Sequence, residues 1–91
     1  MTEFDDRLQA LRRRFVDQAS ADADAIERHA AVAAWVAIRD LSHGIAGRAG
    51  MFGFPALTDA AREVEEAIDK SEEPDRLCSL ARSLVADLRG L

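Results

Sequence analysis

Apolar positions recur along this chain at helical spacing in four successive stretches, parted by short polar breaks. Phe4, Leu8, Leu11, Phe15, Ala19 and Ile26 fall on one face of a first helix predicted over residues 3–30. Thr2 stands where an N-cap belongs, and Glu3, Asp5 and Asp6 suit the positive end of a helix dipole. Around Ala19-Ser20-Ala21-Asp22 the apolar weight thins, which leaves room for a kink or split in this helix. A turn is placed near Ala31 to Ala34 because a bundle needs one there, although no glycine or proline marks it. The second helix is predicted from about Ala34 to Phe52, with Trp35, Ile38, Leu41, Ile45, Ala49 and Phe52 inward and Gly53 ending it. Pro55 opens the third, at the first turn, where a missing N–H is harmless. Its core positions are Leu57, Ala60 or Ala61, Val64 and Ile68, and Glu63, Glu65, Glu66 and Asp69 make its other faces acidic. After a loop at Ser71-Glu72-Glu73, Pro74 starts a fourth helix with Leu77, Leu80, Ala81, Leu84, Val85 and Leu88 inward, and Gly90 stops it. Four amphipathic helices on short loops predict an all-α fold, an antiparallel up-down-up-down four-helix bundle forming one domain over residues 1–91.

Composition narrows this picture. Residues are 48% hydrophobic but only 5% aromatic, so the core must be built from Leu, Ile, Val and Ala. The net charge of −5 argues against a nucleic-acid partner, because counterion release needs a basic surface. Helical geometry splays Arg12-Arg13-Arg14 around one turn, as a solvated face would have it. Cys78 is alone, so no disulfide framework arises, and its Leu77, Leu80 and Ala81 neighbours read as those of a small buried hydrophobe. Ala30 to Ile38 is too short to cross a bilayer and no signal peptide is evident, so the expected location is cytoplasmic, away from membranes. Acidic faces over much of the bundle favour a monomer.

The chemistry concentrates in Leu41 to Leu57, where His43 sits in a helical pattern with glycines at 44, 47, 50 and 53. At about 100° per residue, Ala46, Gly47 and Gly50 share one sector with His43. Each helical glycine costs roughly 1 kcal/mol relative to alanine. Stability is therefore traded for an open approach to one imidazole. Ile45, Ala49 and Phe52 form the opposite, buried stripe, so His43 faces out. His29, near the end of the first helix, lacks such surroundings and reads as structural or exposed.

This stretch resembles the phosphoacceptor segment of histidine-containing phosphotransfer domains. Their pattern is His-x-hydrophobic-Lys-Gly, then Gly ten residues after the histidine and a hydrophobic residue four further on. It falls here on His43, Ile45, Ala46, Gly47, Gly53 and Leu57. The run Ala49-Gly50-Met51-Phe52-Gly53-Phe54 is similar in particular to the domain that opens chemotaxis histidine kinases, and Val64-Glu65 matches a hydrophobic-Glu pair of the following helix. The resemblance implies that His43 is a phosphoacceptor exchanging a phosphoryl group with receiver-domain aspartates, in a phosphocarrier rather than an enzyme. It implies that Glu65 accepts a hydrogen bond from the ring and so fixes its tautomer. It further implies a response-regulator receiver domain or hybrid histidine kinase as partner, with Mg²⁺ supplied by the receiver and no cofactor held by this chain. Gly44, Ala46, Gly47 and Gly50 would leave room for the partner.

One position departs from the pattern: the lysine three residues after the histidine is Ala46. Arg39, one turn before His43 and on nearly the same face, is the candidate to support the phosphoryl group, whereas Arg48 lies about 140° around an ideal helix. The missing lysine also admits a different reading, a bundle of this kind that binds kinases or regulators without accepting phosphate. A metal-binding bundle fits poorly, since neither histidine follows an inward acid at the Glu-x-x-His spacing. A hydrolase fits worse, because Ser42 has no strand-turn-helix context and Cys78 no basic neighbour.

Overall fold

A computed structural model describes residues 2–91 of the chain, and among them there are four α-helices and no strand. These are α1 (Glu3–Ala31), α2 (Trp35–Phe52), α3 (Pro55–Asp69) and α4 (Pro74–Arg89). Each packs against its neighbours in sequence, and α4 closes against α1, so the chain is an up-down-up-down four-helix bundle.

Local chemistry explains the boundaries. Thr2 accepts a hydrogen bond from the Asp5 N–H while the Asp5 side chain accepts one from the Thr2 N–H, a reciprocal capping box. Between α1 and α2 the turn at residues 32–34 contains no glycine, and Ala33 itself takes a left-handed conformation with φ +54°. The Ala33 and Ala34 N–H groups donate to the carbonyls of Ala30 and His29, which would otherwise be left bare at the end of α1. Gly53 closes α2 at φ +83°, ψ +37°, the left-handed cap that a residue without Cβ adopts freely. Pro55 and Pro74 each stand at the start of their helices.

The core is aliphatic. Ile26, Ile38, Ile45, Val64, Leu84 and Leu88 are almost completely buried, with Ala19, Ala23, Ala49, Ala61 and Ala81 between them. Ala67 is buried on α3, whereas the expected core residue Ile68 is only half-buried. The one aromatic cluster lies at the α2–α3 end, where the Phe15 ring packs 5.8 Å from Phe52 and 5.7 Å from Phe54. Arg12 stacks over Phe54 at 4.8 Å, so one arginine of the triple run has a partner besides solvent.

Two features of α1 depart from the sequence reading. It is not split: one helix runs unbroken from Glu3 to Ala31. Ala19 in the stretch of thin apolar weight and Ala23 just after it are 1% and 0% exposed, so small side chains there let neighbouring helices close in. The apolar face also divides: Phe15, Ala19 and Ile26 are buried, but Phe4, Leu8 and Leu11 are exposed. At about 1.5 Å per residue, the 29-residue α1 outruns partners of 15 to 18 residues by several turns. The result is a long body of 48 × 21 × 19 Å.

Candidate functional site at the α2–α3 face

α2 and α3 run antiparallel, joined by the short Gly53–Phe54 connection, and that hairpin brings residues far apart in sequence level with one another. Gly53 turns the chain, and the Thr58 hydroxyl donates to the carbonyls of Phe54 and Ala46, tying α3 back to α2. Buried Ile45 and Ala49 on α2 and Ala61 and Val64 on α3 fix the rotation of the two helices. His43 and Glu65 are thereby left on the outer rim of the groove between them.

The two residues touch. His43 Nδ1 lies 3.1 and 3.2 Å from the two carboxylate oxygens of Glu65. The Glu65 side chain is 18% exposed and that of His43 is 75% exposed. A carboxylate is acceptor-only, so this contact is made by an Nδ1–H donating to Glu65, and in the neutral ring that tautomer leaves the lone pair on Nε2. Such a contact holds one tautomer of the ring from the α3 side.

A concavity of about 330 Å³ opens beside the ring, lined by His43, Ala46, Gly47, Arg62, Glu65 and Glu66. Its dominant fixed charges are two carboxylates and one guanidinium. Of the small residues around the ring, Gly47 is exposed and a methyl group there would meet nothing within 4 Å. Gly50 is exposed with Thr58 Oγ1 3.7 Å from where its Cβ would lie, and Gly44 is half-buried with the Arg48 guanidinium 3.4 Å away. Ala46 is 5% exposed, so it belongs to the floor of the concavity and presents little surface for docking.

Arg39 lies outside that lining. Its Nε donates to Asp69 Oδ1 at 2.6 Å, and its Nη1 reaches Asp40 at 3.3 Å. The hydrogen bond to Asp69 holds the guanidinium above its ordinary pKa. Its Nη2 stands 3.9 Å from Glu65 Oε1, the oxygen that also lies 3.1 Å from His43 Nδ1. Arg48 points away from the site as well, pairing at 3.5 Å with the buried Asp22 of α1 and lying over Phe15. Desolvation raises the Asp22 carboxyl above its ordinary value, with the Arg48 charge working against that shift. Sequence reasoning passed over Arg62 and Glu66. Their signal was the spacing, with Arg62 three residues before Glu65 and four before Glu66, which makes it a helical neighbour of both.

Among the described residues no cluster of three or more His, Cys, Asp or Glu side chains is arranged to hold a metal ion, and no helix is long and apolar enough to cross a membrane. No curated protein and no solved structure shows significant similarity to the chain. The family model for the Hpt domain matches residues 10–91, all but the first turns of α1. Hpt domains are four-helix bundles that carry phosphoryl groups on histidine in phosphorelays, and this chain belongs to that family.

Proposed function

We propose that His43 is the phosphoacceptor of a two-component phosphorelay, taking a phosphoryl group from an aspartate of a partner receiver domain and returning it to one. The observation that carries this reading is the His43–Glu65 contact, which leaves Nε2 open beside a concavity floored by Ala46 and edged by Gly47. In the forward step the Nε2 lone pair attacks the phosphorus of an aspartyl phosphate. The N–P bond forms as the acyl phosphate O–P bond breaks, and the aspartate departs as a carboxylate. The Nδ1 proton stays on the ring against Glu65, whose charge offsets the positive charge developing on the imidazole. The return step reverses these events. Nothing in it requires the domain to turn over a substrate, so the chain acts as a phosphocarrier. Mg²⁺ and further cations come with the receiver domain, and much of the rate is positioning and electrostatics.

Small residues at positions 44, 47 and 50 support the same reading, because a receiver domain must bring its active-site loops within bonding distance of Nε2. Arg39 fits a supporting part through Glu65, which it faces at 3.9 Å. The absence of a cation at Ala46 favours a second reading, an adaptor that binds kinases or regulators without taking phosphate. Incubation with labelled ATP, a promiscuous histidine kinase and a receiver domain separates the two. Acid-labile label on the wild type and none on His43→Gln is expected. A protein that stays unlabelled with several competent donors, while His43→Gln keeps its partner binding, would make it the adaptor.

A further inference from the structure

A phosphoryl group on His43 Nε2 would bring close to two negative charges into a concavity that already holds Glu65 and Glu66. Once the donor has left, that charge must be answered from within the domain. Arg39 is engaged by Asp69 and Asp40, and Arg48 by Asp22. Arg76 and Arg89 are engaged by acids of other faces. Among the described residues, Arg62 is the cation lining the concavity, it is exposed, and it has no carboxylate within ion-pair distance.

The pairing of the two helices says where Arg62 lies. Arg39 meets Asp69, His43 meets Glu65, and the Cβ position of Gly50 meets Thr58. Each step forward along α2 is matched by an equal step back along α3, from 39 to 43 against 69 to 65, and from 43 to 50 against 65 to 58. In that register position 46 stands opposite position 62. The site where the family pattern has lysine is therefore level, across the groove, with an arginine on the facing helix. Ala46 and Arg62 line the same concavity, which a methyl group at position 46 does not fill.

We propose that Arg62 is the phosphoryl-contacting cation of this domain, taking from α3 the part that lysine would play from position 46 of α2. The proposal rests on the phosphocarrier reading and deepens it. Arg62 makes no covalent bond and moves no proton. Its guanidinium donates hydrogen bonds to the phosphoryl oxygens as charge accumulates on them, in a planar fork suited to phosphate. It also offsets the repulsion from Glu66, one turn along the same helix.

The test uses phosphoramidate, a small donor that brings no cation of its own from a receiver. His43 Nε2 attacks phosphorus, the donor's P–N bond breaks, ammonia leaves with that electron pair, and Nδ1–H stays against Glu65. Labelling rates are compared for wild type, Arg62→Gln, Arg62→Lys and the double variant Arg62→Gln/Ala46→Lys. Arg82→Gln, on the exposed side of α4, matches the change in net charge. Arg62→Gln is expected to label about ten- to a hundredfold more slowly than wild type, the range set by losing one charged hydrogen bond. Arg62→Lys should retain part of the rate, and the double variant should recover most of it by moving the cation back across the groove. Equal rates for Arg62→Gln and Arg82→Gln, with circular dichroism confirming that both fold, would overturn the role of Arg62 and leave the phosphocarrier reading standing. Failure of the wild type itself to label, or labelling of His43→Gln, would overturn that reading and this proposal together.

Discussion

His43 and Glu65 meet across two helices: one imidazole nitrogen sits almost equidistant from both oxygens of a largely covered carboxylate, while the ring itself stands mostly in solvent. Under the proposed phosphocarrier function the two ring nitrogens have different tasks, Nδ1 held by Glu65 and Nε2 open to the phosphoryl group. Glu65→Ala releases the ring and removes the charge that stabilises it, so phosphoryl uptake should fall by about ten- to a hundredfold. Glu65→Gln keeps an acceptor oxygen but loses the charge, so it should fall less. Initial labelling rates for the two variants check the order. If Glu65→Ala labels as fast as wild type, the carboxylate has no part in the chemistry.

How much of this was legible in the sequence depends on the range of the interaction. Gly53, Pro55, Pro74 and Gly90 act on their own backbone, and the helix boundaries they predict are those observed. The exposure of Phe4, Leu8 and Leu11 was not legible, because an amphipathic stripe reads the same whether or not a neighbouring helix extends far enough to cover it. Arg39 looked free on its own helix, yet Asp69, thirty positions later, holds it at 2.6 Å. Arg62 was missed for the converse reason. Its position opposite Ala46 follows from the register of α2 against α3, which the two-residue Gly53–Phe54 connection and the packing of Ile45 and Val64 determine together. Resemblance to a motif pointed to Glu65, and only the folded hairpin supplies its distance from His43.

Gly47 lies inside α2 with open space where a side chain would go. Gly47→Ala should therefore stabilise the isolated domain by about 0.5–1 kcal/mol, a few degrees in Tm. The same methyl stands at the edge of the concavity beside His43, so transfer to a receiver domain should slow several-fold. Thermal melts and a transfer time course decide it. A variant that melts higher and transfers at the wild-type rate would show that the glycine is not there for partner access.

Asp22 carries a pH dependence of known sign. Its carboxyl is raised above the ordinary 3.8, so the folded chain holds this proton more tightly than the unfolded chain. Its contribution to stability is then greatest in acid and is lost as pH rises from 3.8 through the higher folded value. Asp22→Asn should melt at or above the wild-type temperature at neutral pH, and that advantage should vanish below about pH 3, where the carboxyl is largely protonated in folded and unfolded chains alike. Arg48→Ala, by contrast, leaves the buried Asp22 Oδ2 with no counter-charge and should cost about 1–3 kcal/mol at neutral pH. In the Asp22→Asn background the arginine substitution should cost much less. Additive effects of the two substitutions would contradict the pairing.

The overhanging turns of α1 should contribute little to stability. A chain beginning at Ala10 should unfold within about 0.5 kcal/mol of the full chain, since Phe4 and Leu8 are exposed. Phe15→Ala should cost about 3–4 kcal/mol, because it removes the ring packed against both Phe52 and Phe54. Urea denaturation of the two proteins gives the comparison. A large loss on truncation would mean that the α1 overhang packs against something in solution.

In the proposed phosphocarrier, Glu65 occupies Nδ1 and leaves Nε2 to carry the phosphoryl group. The most direct test of this is ³¹P–¹⁵N NMR of the domain, ¹⁵N-labelled at histidine and phosphorylated with phosphoramidate. A single phosphohistidine is expected at His43, with phosphorus coupled to Nε2 and a protonated Nδ1. Phosphorus on Nδ1, or on His29, would contradict it.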